Sequence, residues 1–196
     1  AGMGKDFYDN SEAARSFFDN AQKILDFDLK EMCFGEHEEL NLTEYTQPCM
    51  VSVCLAIVQE LKKRGINPDI TAGLSLGEYA AVAAAGGMNE LDAIKLVRRR
   101  GILMQSTVPA GEGAMAAVLG LDAKKIEEIL ESFENVWIAN YNCPGQIVIT
   151  GLTNEVQQAS LALKEAGAKR VVELKVSGPF HSLLLKPAGE ALLQEM

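Results

Sequence analysis

One serine stands between two glycines in the run Ile70-Thr-Ala-Gly-Leu-Ser-Leu-Gly-Glu-Tyr-Ala-Ala81, a spacing suited to acyl chemistry. In Gly73-x-Ser75-x-Gly77 the glycines permit a turn too tight for side chains, so the serine oxygen stands clear between a strand and a helix. The backbone N–H after the serine then lies at a helix N-terminus, where partial positive charge favours a developing anion. A serine so placed makes and breaks acyl esters. Ser75 followed by Glu78 is also a capping box, which needs no chemistry. Context favours the elbow. Residues 70–74 are a short apolar run after Asn67-Pro68-Asp69, and residues 76–85 are rich in alanine, as a closely packed helix would be.

A serine hydroxyl attacks only when a base takes its proton. His37 lies among Glu36, Glu38 and Glu39 and reads as a surface residue. His181 follows the last predicted strand, in Ser177-Gly-Pro-Phe-His-Ser182, where loops at strand ends carry chemistry. The competing reading of His181 is a structural histidine packed behind Phe180. The acid of a full triad is not visible. Asp122 is the last aspartate and caps a helix, and the later glutamates fall on predicted helices or in the final strand. A Ser75–His181 dyad fits better.

The run Arg98-Arg99-Arg100 sorts by helical geometry. Arg99 shares a face with Asp92 and Lys95, Arg98 is mixed, and Arg100 has Ala93, Leu96, Val97, Leu103 and Met104 as its helical neighbours. A guanidinium on an apolar face needs an anion. That anion is either an internal acid or a substrate carboxylate held in a bidentate clasp, and helical geometry leaves both open.

The scaffold for these groups is that of an ordinary globular protein. The 196 residues are 48% hydrophobic and 23% charged, enough for one substantial core or two small ones. A net charge of −9 speaks against nucleic acid as a partner. No apolar stretch reaches the roughly 18 residues of a membrane span, and no signal peptide is visible, so a cytoplasmic protein without a membrane partner is expected. Cys33, Cys49, Cys54 and Cys143 form no C-x-x-C pair and read as reduced thiols. No clustered ligands suggest a metal. A monomer is the expected state. The chain opens on Ala1, and an apolar-periodic helix from Pro187 still runs at Met196, as in a piece of a longer polypeptide.

Periodicity predicts an amphipathic helix over 11–25, capped by Asn10 or Ser11, with Ala14, Phe17, Phe18, Ala21, Ile24 and Leu25 on one stripe. Residues 26–44 read as an irregular, acidic surface connection. A buried helix follows over 48–63, with Pro48 in its first turn. Next come a strand at 69–74, helices at 76–85 and from 89 or 90 to about 105, suggesting an α/β layer with a parallel sheet. After Pro109 strands at 114–119, 136–142, 146–150 and 169–176 alternate with helices at 122–132 and 153–166. That β-α-β-β-α-β order is the split βαβ unit of a ferredoxin-like subdomain. The expected domains are 1–109 with 177–196, incomplete at both ends, and 110–176.

Five stretches in order resemble the malonyl-CoA:acyl carrier protein transacylase family of type II fatty acid synthesis, and the acyltransferase domains of polyketide synthases. They are GLSLGEYAA around Ser75, VRRRGILMQ around Arg100, GEGAMAAVLG (111–120), NCPGQIVITG (142–151) and GPFHSLLLKP (178–187) with His181. The resemblance covers essentially the whole chain. It implies an α/β-hydrolase-like large subdomain with a ferredoxin-like insertion. It implies that Ser75, deprotonated by His181, takes malonyl from coenzyme A and yields it to the phosphopantetheine thiol of acyl carrier protein. Coenzyme A thioester is then a substrate, and no cofactor is implied. The Leu76 N–H would be an oxyanion donor, Arg100 the carboxylate ligand, and Asn142 and Gln146 residues near the site. Phe180 resembles the malonyl-preferring type. Three departures stand out: Leu74 where many relatives carry histidine, an upstream glycine-glutamine segment that would precede Ala1, and roughly a third of the enzyme, with the group orienting the histidine, that would follow Met196. The other readings are a serine esterase or thioesterase, and a silent acyl-carrier-binding fragment. Carrier docking would draw on basic residues such as Lys164, Lys169, Arg170 and Lys186.

Overall fold

The computed structural model describes residues 2–109, 111–176 and 178–195; Ala1, Ala110, Ser177 and Met196 lie outside the described residues. The chain divides into two compact units, residues 1–102 with 195–196 and residues 103–194.

The first unit opens with α1 (Lys5–Asn10) and α2 (Glu12–Gln22). Ser11 caps α2, its hydroxyl accepting the Ala14 N–H at 3.1 Å, and Ala14, Phe17, Phe18 and Ala21 of the predicted stripe are buried, while Ile24 and Leu25 fall beyond the helix end and are half-buried. The predicted surface connection over 26–44 is instead partly helical. It contains α3 (Leu29–Phe34), whose Leu29 and Cys33 are fully buried, and a 3₁₀ turn at Glu38–Asn41. Asp28 caps α3 by accepting the Glu31 N–H. Six residues show too little periodicity to stand out against an acidic background.

The next helix, α4 (Thr43–Lys63), starts five residues before the expected Pro48, which therefore lies inside it rather than in its first turn. Proline has no N–H for the carbonyl four residues back, which belongs to Glu44. Arg98 supplies the missing donor, its Nη1 lying 2.8 Å from that carbonyl. Arg98 also binds the carboxylates of Asp26 and Glu44 and lies over the rings of Phe27 and Tyr45. The hydrogen bonds from Arg98 hold the Asp26 carboxyl below its ordinary pKa.

Two more helices follow, α5 (Leu76–Ala84) and α6 (Glu90–Thr107), the latter capped by the Asn89 side chain and running past the unit boundary at Ile102. The expected strand at 69–74 is irregular chain outside any sheet, bent at Asp69 and Leu74, and among the described residues this unit contains no strand. A strand exists only through ladder hydrogen bonds to a neighbour, and among the described residues none pairs with this segment. Ile70 and Leu74 are 87% and 73% exposed in consequence. The core of the unit joins Phe17, Phe18, Leu29, Val51, Leu55, Ile94 and Val97.

The second unit follows the predicted order closely. Strands β1 (Gly113–Leu119), β2 (Val136–Cys143), β3 (Gln146–Leu152) and β4 (Arg170–Glu173) form one antiparallel sheet in the order β2-β3-β1-β4. Helix α7 (Ala123–Leu130) is capped by Asp122, and α8 (Thr153–Glu165) runs between β3 and β4. Ile126, Leu130, Val156 and Leu163 from these helices pack with Val118, Ile147 and Ile149 of the sheet. Gly167, with φ 106°, ends α8 in a Schellman motif: its N–H reaches the Lys164 carbonyl and that of Ala168 the Leu163 carbonyl. Strand β4 is shorter than the expected 169–176. The last helix, α9 (Lys186–Leu193), follows a 3₁₀ turn at Leu183–Leu185 and ends at Leu193, where the sequence predicted it still running at Met196. No helix among the described residues is long and apolar enough to cross a membrane.

Candidate active site

Ser75 occupies the bend between residues 69–74 and α5, with φ 51° and ψ −104°. Side chains rarely adopt this backbone. Ser75 and His181 (φ 60°) are the two non-glycine residues with positive φ among the described residues. Such strain costs on the order of 1–3 kcal/mol per residue, persists only where the surroundings hold it, and concentrates at functional sites.

The device that holds Ser75 is local. A Cβ on Gly73 would run into the backbone of Gly77 and Glu78, so the chain passes the helix start where only glycine fits. Gly77 is different, since a Cβ there would meet open space. The turn is closed by the Gly77 N–H donating to the Leu74 carbonyl at 2.9 Å and the Glu78 N–H to the Ser75 carbonyl at 3.2 Å. The capping box does not form, because the Ser75 side chain makes no cap hydrogen bond. Its Oγ instead accepts from Nη2 of Arg100 at 3.4 Å. Leu76 begins α5, and its N–H has no helical carbonyl four residues behind it.

Arg100 is half-buried, and burial pushes its pKa down against the opposing influence of Tyr79 and Glu78. Its guanidinium lies over the Tyr79 ring, 5.6 Å from the centroid, and Nη1 donates to Oε1 of buried Gln47 at 2.7 Å. Among the described residues no carboxylate lies within 4 Å of it, whereas Arg98 and Arg99 each have one or more. Glu78 acts on the guanidinium by its charge from beyond ion-pair distance. Gln47 lies outside every motif in the sequence, and Tyr79 falls inside GLSLGEYAA with no role that its spacing reveals. The available signal was an amide in the polar opening of α4, one residue before Pro48 and the buried run that follows.

The second unit carries the remaining candidates. His181 is exposed, so it is not a core histidine behind Phe180; Phe180 itself packs against Met115, Ala117 and Val148. The loop is tied locally, with the Ser182 hydroxyl donating to the Pro179 carbonyl at 2.7 Å. Gly113 of β1 lies so close to Pro179 that a Cβ there would overlap the ring. Asn142 is exposed near the end of β2, beside the register irregularity between Tyr141 and Cys143. Gln146 opens β3 and accepts from the Cys143 Sγ at 3.7 Å. Ser75, Arg100, Leu76, Gln47 and Tyr79 are thus together in the first unit, while His181, Asn142 and Gln146 belong to the second. Among the described residues no group of three or more His, Cys, Asp or Glu side chains could hold a metal ion.

The family model of the acyl transferase domain matches residues 1–196. The chain belongs to this family. It is 48% identical to the malonyl CoA-acyl carrier protein transacylase of Bacillus subtilis (strain 168), over 97% of this chain and 62% of that protein. Among solved structures it is similar to the malonyl CoA-acyl carrier protein transacylase from Clostridium perfringens, with a TM-score of 0.94 and 42% identity, over 100% of this chain and 64% of that one. It is also similar to a malonyl-transacylase in complex with its type II PKS acyl-carrier protein, with a TM-score of 0.95 and 39% identity, over 99% of this chain and 64% of that one. This acyl transferase chain spans about 62% of the length of the curated relatives it matches.

Proposed function

We propose that the protein carrying this sequence transfers a malonyl group from coenzyme A to the phosphopantetheine thiol of an acyl carrier protein through an ester on Ser75. The observation that supports this reading is the half-buried Arg100 guanidinium, which has no carboxylate within 4 Å among the described residues and lies 3.4 Å from the serine oxygen. A malonyl ester on Ser75 ends in a carboxylate two bonds beyond its carbonyl carbon, within reach of that guanidinium. An acetyl ester has nothing to offer it.

In this reading His181 takes the Ser75 proton as Oγ attacks the thioester carbonyl. The tetrahedral oxyanion accepts a hydrogen bond from the Leu76 N–H. Collapse expels the coenzyme A thiolate, which regains the proton from the imidazolium. The carrier's thiol then repeats the steps in reverse and leaves Ser75 free. Asn142 and Gln146 are assigned to the substrate side of the site, and coenzyme A thioester is a substrate, with no cofactor or metal in any step. We further assign residues 110–176 to a ferredoxin-like subdomain set into an α/β-hydrolase-like one comprising 1–109 and 177–196. The antiparallel sheet order with two helices supports the first assignment, and the Ser75 elbow supports the hydrolase-like character of the second, although residues 178–194 cluster with the sheet unit. A cytoplasmic place suits the four free thiols.

Intact-protein mass spectrometry after incubation with malonyl-CoA tests the reading. One malonyl group on Ser75, discharged by a pantetheine thiol and slow to hydrolyse, is the expected result. Discharge to water as fast as to thiol would make the protein an esterase, and a malonyl group still found on Ser75→Ala would move the nucleophile elsewhere. Arg100→Ala should lose about 2–5 kcal/mol of malonyl-specific stabilisation while acetyl transfer survives.

A further inference from the structure

Two arginines two positions apart on α6 are treated in opposite ways. Arg98 is neutralised by the carboxylates of Asp26 and Glu44, and their hydrogen bonds and charges outweigh burial and raise its pKa. Arg100 is anchored by a neutral group, the side-chain carbonyl of Gln47, at 2.7 Å. Gln47 is 5% exposed. The backbone brings the two together. At Gly101 a Cβ would come within 2.6 Å of the Thr43 carbonyl oxygen and 2.7 Å of the Glu44 Cα, so α6 and the start of α4 touch main chain to main chain. Gln47 lies one helical turn beyond Thr43 on the same face of α4, opposite Arg100.

Resting on the reading above, we propose that Gln47 is a positioning residue that sets the site's preference for acyl groups ending in a carboxylate. An acidic acceptor at this place would bind the guanidinium more strongly, since charge-assisted hydrogen bonds are about twice as strong as neutral ones. It would also cancel the charge on which a ligand carboxylate depends. The amide aims Nη2 at the Ser75 side and places no charge of its own against the guanidinium, so the positions facing Ser75 stay open to an incoming carboxylate. A buried amide facing a donor is satisfied, so it performs this anchoring at no electrostatic cost to the ligand.

Two nearly isosteric variants separate charge from anchoring. In Gln47→Glu the new carboxylate takes the guanidinium for itself. KM for malonyl-CoA should rise at least tenfold, with kcat falling less, while acetyl-CoA loading of Ser75 changes by less than threefold. In Gln47→Met the guanidinium keeps its charge and loses its anchor, and malonyl loading should fall severalfold, less than in Gln47→Glu. Thermal unfolding midpoints of both variants report whether each is folded. Equal losses of malonyl and acetyl loading, or an unchanged malonyl-to-acetyl ratio in both folded variants, overturn the proposal. Arg100→Ala run alongside keeps the two readings apart. If it shifts the ratio and the Gln47 variants do not, only the role of Gln47 falls; if it too leaves the ratio unchanged, the carboxylate clasp itself is wrong.

Discussion

Strand β3 and the segment 69–74 are both short apolar runs entering a helix, yet they end in opposite environments. β3 pairs with β1 along one edge and β2 along the other, and its Ile147 and Ile149 are 2% and 0% exposed. The segment leading to Ser75 has no ladder partner among the described residues, and its Ile70 and Leu74 face outward. Composition does not separate them; neighbours do. The sheet satisfies backbone and side chains together, which places the high-stability end of the molecule there. The serine turn rests on a close glycine contact and two short-range hydrogen bonds.

The contrast makes graded expectations. Ile149→Ala should cost about 2–5 kcal/mol in denaturant unfolding, and Ile70→Ala should stay within about 0.5 kcal/mol. Similar costs at the two sites would mean that Ile70 is covered after all. Within the turn, Gly73→Ala should cost about 1–3 kcal/mol by overpacking and abolish acylation of Ser75. Gly77→Ala should be neutral or gain up to about 1 kcal/mol, since alanine is the better helix former. An active Gly73→Ala would show that the close approach does not hold the serine.

The smallest effect concerns the Arg98 clasp. The Asp26 pKa lies below its ordinary value of 3.8, so the pair's contribution is full above that value and is lost as pH falls through the lowered folded value. Asp26 is largely exposed, and Asp26→Asn should cost less than about 1 kcal/mol at neutral pH, the difference vanishing toward pH 2. A cost independent of pH would assign Asp26 a packing role instead.

Features set by contiguous residues were legible beforehand. The Ser11 and Asp122 caps, the stripe of α2, the Gly167 stop and the alternation through the second unit each depend on a window of a few residues. The elbow belongs with them, because its glycines and serine span five positions. Helix α3, six residues and less than two turns, is too short to leave a periodic signature in the sequence. The true start of α4 was hidden because Pro48 looked like a first-turn residue, and only Arg98, fifty positions later, makes its interior place tolerable.

Sequence alone therefore determined where a serine could be bared and which local elements would form, since both follow from short-range sterics and periodicity. Tertiary structure decided what the arginines do. Arg98 and Arg100 carry the same charge on the same helix, and their partners come from 25 to 72 positions away. Whether a guanidinium is neutralised or left open depends on which groups the fold brings within a few ångströms, and no window of sequence contains that.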